Sequence, residues 1–161
     1  MKRFAQLLLL AAVFAFFTGF SVRSTLHKAP NFKLQTLRGR TIELSQLKGK
    51  TVVINFWATW CGPCRAEIPG FIEVYEKYKS KGLEIVGVSV DEGGWSDVKP
   101  FVKEYKIDYP VVLATKKVEK EYGNIDAIPT TFIVDKNGFI VDRHLGYLKM
   151  EDFEKRIEGY L

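Results

Sequence analysis

The hydrophobic pattern changes period several times along the chain, and each change marks an element. From Phe4 to Phe20, "FAQLLLLAAVFAFFTGF" has no period and no charge, and it follows the basic pair Lys2 and Arg3. "SVRSTLHKA" (21–29) reads as a tether, and Pro30 opens the folded part. "NFKLQTLRGRTIEL" carries two extended runs about Arg38-Gly39, a hairpin pattern. "TVVINFW" (51–57) is β-branched and apolar nearly throughout, as a strand buried on both faces must be. From Pro63 to Lys81, Ile68, Phe71, Ile72, Tyr75 and Tyr78 recur at helical spacing, and Gly82 stops the helix.

"LEIVGVSVD" is a second buried strand. Val98, Phe101, Val102 and Tyr105 then mark a helix with Ser96 as the expected N-cap and Pro100 early enough to be tolerated. "YPVVLAT" is a short strand and "KKVEKEYG" a short helix closed by Gly123. "TTFIVD" and "FIVDRHL" flank Asn137-Gly138, a strong hairpin signal. A last helix is expected from Lys149 to Tyr160, with Phe153, Ile157 and Tyr160 facing inward. Strands alternating with helices, ending in a hairpin and a helix, predict one α/β domain: a mixed sheet covered on both faces.

Composition narrows the picture. The +5 net charge falls to +3 without Lys2 and Arg3, and the remaining lysines are interspersed with acids, as in "YEKYKSKGLE". A nucleic-acid footprint needs a clustered basic stripe, so no nucleic-acid partner is expected. Two basic residues before an apolar run describe a secretory signal or a membrane anchor, at the lower limit of roughly 17–25 residues for a spanning helix. No cysteine follows the run, which excludes a lipid-modified anchor. The predicted organisation is therefore a signal or anchor at 1–21, a tether at 22–29, and one exported domain at 30–161 of about 130 residues, enough for a full core.

Cys61 and Cys64, with Gly62 and Pro63 between them, are the chain's two cysteines. As a structural staple they would remove little unfolded-chain entropy, because that gain grows with loop length. A structural zinc site needs about four ligands, and only His27 and His144 could add to the pair. Thiolates also suit Cu(I), so a metal-carrying protein using Cys61, Cys64 and His144 is the alternative reading. Attached haem requires histidine where Arg65 stands. A redox pair fits best. Cys61 falls between a strand and a helix, where free N–H groups and the helix dipole lower a thiol's pKa from about 8.5 toward 7 or below. Cys64, one turn on, can reach it. Pro63 suits the first helical turn, and Gly62 leaves room for a partner chain.

With these residues in place, the sequence resembles the thioredoxin superfamily, and within it the exported, often membrane-anchored thiol–disulfide oxidoreductases of the TlpA/ResA/CcmG type. "NFWATWCGPCRAEIP" is similar to that group's active-site signature. "AIPTTFIVDKNG" resembles the segment carrying its cis-proline, and "APNFKLQTLRGRTIELSQLKGK" resembles its N-terminal hairpin. The segment from Gly94 to Pro110 corresponds to its inserted helix and strand. The resemblance implies a thioredoxin fold, with Cys61 and Cys64 facing a cis Ile128–Pro129 peptide. It also implies substrate contacts from Trp60, Gly62, Pro63, Ile128, Pro129 and Thr130, the backbone beside the proline pairing with the client as an added strand.

Trp57 and Trp60 match aromatic residues beside the thiols, and Pro69 matches a helix-kinking proline. Asn55 stands where many thioredoxins bury an aspartate. Glu67 stands where ResA-like proteins carry a glutamate, which implies a role in tuning or deprotonating Cys64. The implied activity is reduction of protein disulfides outside the cytoplasm, without metal, flavin or nucleotide cofactor. Implied partners are disulfide-containing clients such as apocytochrome c and a membrane electron donor of the DsbD/CcdA kind. A thiol peroxidase of this fold would carry Thr or Ser at position 58, where this chain has Ala58.

Overall fold

The computed structural model describes residues 27–161; the leader and residues 22–26 of the tether lie outside the described residues. In chain order the strands are β1 (His27–Lys28), β2 (Lys33–Gln35), β3 (Thr41–Glu43), β4 (Thr51–Trp57), β5 (Leu83–Ser89), β6 (Val111–Leu113), β7 (Thr130–Val134) and β8 (Phe139–Leu145). The α-helices are α1 (Gly62–Tyr78), α2 (Trp95–Glu104), α3 (Lys116–Glu121) and α4 (Met150–Glu158). Among the described residues no helix is long and apolar enough to cross a membrane.

A six-stranded sheet runs in the order β1-β8-β7-β4-β5-β6, and β2 and β3 form a separate antiparallel pair. β4 is central and buried at all seven positions. It pairs in parallel with β5 and antiparallel with β7, so the sheet is mixed, as the element order predicted. Both sheet edges are occupied. β1 pairs with β8 on one side, and on the other Thr36 bridges to Val112 while Leu37 N–H donates to the Val111 carbonyl. Such cover protects edges that would otherwise present unpaired backbone groups.

Strand alternation divides the core into two layers. Val53 and Trp57 face a layer built with Ile68, Phe71 and Val74 of α1, Val98 and Phe101 of α2, and Phe153 and Ile157 of α4. Val52, Ile54 and Phe56 face the other, built with Phe32, Leu44, Val118 and Tyr122. Asn55 shares the parity of Val53 and Trp57, so a polar side chain is placed on the α1 face. Gly138, at φ +91, takes the left-handed turn position between β7 and β8 that a side chain would disfavour.

Four local expectations change. His27 and Lys28 join the sheet instead of the tether, because β8 offers them a free edge. Ser96 does not cap α2: the cap is Gly94, without a side-chain bond, and Ser96 Oγ donates to the Gly93 carbonyl at 2.6 Å. α1 ends at Tyr78 and a 3-10 turn covers Lys79–Lys81. α4 ends at Glu158, which leaves Tyr160 37% exposed, with its carbonyl accepting from Thr51 Oγ1 at 2.5 Å. A helix frays where no further apolar contact rewards continuing it.

Gly87 on β5 permits one close approach beneath the thiols. A Cβ there would lie 3.0 Å from Trp57 Nε1 and 3.2 Å from Tyr109 Cε2, both on rigid buried rings. Gly87→Ala is expected to destabilise the domain by about 1–3 kcal/mol, lowering Tm by roughly 3–10 °C. Thermal unfolding followed by circular dichroism checks this, and an unchanged Tm would show that the two rings yield.

Candidate active site

β4 delivers the chain to the front edge of the sheet, and the turn Ala58–Cys61 closes with Cys61 N–H on the Ala58 carbonyl at 3.2 Å. α1 begins at the next residue, so Cys61 is its N-cap. Its sulfur accepts the Cys64 backbone N–H at 3.2 Å, as a capping oxygen would. Pro63 follows within the first turn, where its missing N–H costs nothing. The two cysteines form a disulfide with S–S 2.06 Å and Cα–Cα 5.3 Å. Both sulfurs are therefore half-cystine in this structure, and neither is a thiol. Cys61 is 5% exposed and Cys64 fully buried.

Around the sulfur, Trp60 is 70% exposed, and Gly62 and Pro63 are open to solvent. The Ile128–Pro129 peptide is cis, and the Ile128 carbonyl oxygen lies 3.8 Å from Cys61 Sγ. Pro129 O accepts from Gly146 N–H at 2.8 Å, which ties the proline to the end of β8. Ile128 makes no backbone hydrogen bond of its own among the described residues. Thr130 is buried and its hydroxyl donates to the Ala127 carbonyl at 2.7 Å, so it shapes the loop from behind and does not face outward. Leu145 and Tyr147, beside Gly146, are exposed apolar side chains.

Glu67 shares the buried face of α1 with Cys64, one turn on. It is 2% exposed. Its Oε1 accepts from Asn55 Nδ2 at 2.9 Å and its Oε2 from Leu148 N–H at 3.0 Å, and Asn55 Nδ2 also donates to Thr131 Oγ1 at 3.0 Å. Burial pushes the Glu67 carboxyl up to about 7, against the pull of its two hydrogen bonds. It therefore changes charge near neutral pH. Trp57 Nε1 and Tyr109 Oη are buried on the same side of the sheet without hydrogen-bond partners among the described residues.

The structure thus brings Cys61, Cys64, Trp60, Gly62, Pro63, Ile128 and Pro129 into one neighbourhood, with Glu67 beneath. His144 sits on β8 with Nε2 3.2 Å from the Tyr147 carbonyl. Among the described residues no group of three or more His, Cys, Asp or Glu side chains gathers as a metal site would require. Pro69 lies inside α1 and offers no N–H to the Arg65 carbonyl. Asp91, Leu148 and Thr131 were not singled out from the sequence. Asp91 was within reach of it: β4 and β5 run parallel with Trp57 opposite Ser89, which carries Asp91 to the level of the cysteine turn.

The model of the AhpC/TSA family matches residues 25–143. The chain belongs to the AhpC/TSA family. Among its AhpC/TSA relatives, the thiol-disulfide oxidoreductase ResA of Geobacillus kaustophilus (strain HTA426) is 36% identical over 164 residues, covering 99% of this chain and 94% of that protein. The ResA of Bacillus thuringiensis (strain Al Hakam) is 43% identical over 135 residues, covering 83% and 75%. A thiol:disulfide interchange protein of the thioredoxin family from Chlorobium tepidum TLS superposes with TM-score 0.80 at 33% identity, over 86% of this chain and 99% of that one. StoA from Bacillus subtilis does so at 0.71 and 30%, over 81% and 98%. This AhpC/TSA-family chain is accordingly a thiol–disulfide oxidoreductase of thioredoxin fold.

The raised Glu67 carboxyl makes stability depend on pH with a definite sign. The native state holds this proton more tightly than the unfolded chain, whose carboxyl titrates near 4.5. The extra stability is present below 4.5 and is lost as pH rises through about 7, by at most about 3 kcal/mol. Denaturant unfolding of the oxidised protein between pH 4 and 8 should show this decline, and Glu67→Gln should flatten it. Equal slopes in the two proteins would contradict the assignment.

Proposed function

We propose that the protein is an exported reductant of protein disulfides, with Cys61 as nucleophile and Cys64 as resolving thiol. The observation that carries this reading is the capping geometry. Cys61 Sγ stands at the positive end of a 17-residue helix with a backbone N–H aimed at it, which favours the thiolate once the pair is reduced. The Gly-Pro dipeptide supports the reducing direction through its likeness to reducing thioredoxins. The uncharged run 4–20 after Lys2 and Arg3 supports export, with 1–21 as signal or anchor.

In the reaction, Cys61 thiolate attacks one sulfur of the client disulfide and expels the other as a thiolate, leaving a mixed disulfide. Cys64, as thiolate, attacks Cys61 Sγ and expels the second client sulfur. Two electrons pass from the dithiol to the client, and the 61–64 disulfide remains. Glu67, able to gain a proton near neutrality, accepts the Cys64 proton for that second attack. The Ile128 N–H and C=O, which lack backbone partners among the described residues, pair with an extended client segment, and Trp60, Gly62, Pro63 and Pro129 border it. Thr130 contributes by holding the proline loop. Clients of the apocytochrome c kind and a membrane dithiol donor of the DsbD/CcdA kind complete the cycle; the chemistry needs no metal, flavin or nucleotide.

Cys61→Ser is expected to abolish turnover of a disulfide substrate, and Cys64→Ser to accumulate a mixed disulfide that thiols release. Non-reducing electrophoresis with mass spectrometry checks both. Multi-turnover reduction by the Cys61→Ser protein would overturn the mechanism, as would peroxide consumption in place of disulfide reduction.

A further inference from the structure

Behind the cysteine turn lies a carboxylate that the exchange chemistry does not use. Asp91, just beyond β5, is 8% exposed. Both its oxygens accept the Thr59 backbone N–H at 3.1 Å, Oδ1 accepts the Thr59 hydroxyl at 2.6 Å, and Oδ2 accepts the Ser89 hydroxyl at 2.8 Å. Ser89 Oγ in turn accepts the Asp91 N–H at 3.1 Å. No lysine or arginine pairs with Asp91 among the described residues.

A buried carboxylate without a cation costs several kcal/mol unless donors surround it, and here every donor comes from Thr59 or Ser89. A residue serving only to end a strand has no need of that charge. Thr59 stands two residues before Cys61 and next to exposed Trp60, in a turn held otherwise by the Cys61–Ala58 bond and by Val90 N–H on the Trp57 carbonyl at 2.9 Å. Among the described residues Asp91 is the sole partner of the Thr59 N–H. Charge-assisted hydrogen bonds are roughly twice as strong as neutral ones, so this contact outweighs the rest of the turn.

We propose that Asp91 is a positioning residue: by clamping Thr59 it sets where Cys61 and Trp60 stand at the start of α1, and so aims the sulfur at the helix N-terminus. The inference rests on Cys61 being the attacking thiol. Two effects of Asp91 on that sulfur oppose each other. Its charge, held against Thr59 two residues before Cys61, disfavours a thiolate, whereas its clamp favours one by keeping Cys61 in the capping position. The clamp is the larger effect.

The sign of one measurement separates them. In the reduced full-length protein, iodoacetamide alkylation of Cys61 is followed against pH by mass spectrometry, beside a thermal unfolding curve. Asp91→Asn, which replaces one of the two acceptor oxygens with an NH2 donor and so leaves the Thr59 and Ser89 donors a single acceptor, should move the Cys61 titration upward by about one pH unit, a tenfold slower reaction below the midpoint. Thr59→Val should move it in the same direction by less, and Thr59→Ser should restore it. That pair changes no charge and leaves Arg65, Glu67, Asp91, Glu92 and His144 in place, so it decides the matter even if Asp91→Asn fails to fold. A downward shift in Asp91→Asn, or identical titrations for Thr59→Val, Thr59→Ser and the parent chain, would overturn the clamp. Fast alkylation at Cys64 in the parent chain would instead overturn the nucleophile assignment, and the clamp with it.

Discussion

One backbone N–H pointed at one sulfur organises this molecule. Cys61 caps α1 with Sγ where helices ordinarily place a serine or aspartate oxygen, and the Cys64 N–H reaches it at 3.2 Å. The contact exists because β4 ends and α1 begins within a four-residue turn at the front of the sheet. That turn in turn depends on β4 being buried on both faces and held between β5 and β7. The sheet is thus a mount for a helix terminus, and the helix terminus is the chemical device.

Around that device the protein distributes polarity unevenly. In front, the exposed indole of Trp60 and the apolar side chains of Leu145 and Tyr147 face solvent. Behind, two carboxylates are buried and treated differently. Asp91 is ringed by hydroxyl and N–H donors from the turn and β5. Glu67 receives only an amide and one backbone N–H in an otherwise apolar layer, and burial raises its proton affinity to the neutral range. Environment alone raises the proton affinity of Glu67.

The same layer shows what the chemistry costs in packing. Asn55 stands between Val53 and Trp57 on a fully buried strand, and its amide is satisfied because Glu67 and Thr131 meet it. Trp57 Nε1 is buried without a partner among the described residues. The opposite layer around Phe56, Tyr122 and Phe132 is aromatic packing.

Period, turn residues and spacing carried most of the architecture: β4, β5 and the Asn137-Gly138 hairpin follow from local pattern, because burial on both faces and a left-handed turn leave few alternatives. The helix cap by Cys61 followed from its place between a strand and a helix. The errors lie where local signals compete with contacts made elsewhere. His27 and Lys28 read as tether because nothing near them reveals the free edge of β8, and Ser96 reads as a cap although the backbone bends two residues earlier. Glu67 was legible as a position but not as an environment: its raised proton affinity comes from burial in the layer that α1 closes over it, against the opposing hydrogen bond from Leu148, 81 residues away. The register of β4 and β5 could place Asp91 beside the cysteine turn, but not show its burial there. The chain by itself determined which atoms react and which elements form; long-range packing alone decided which carboxylates lose their water, because desolvation is a property of the assembled layers and of no segment within them.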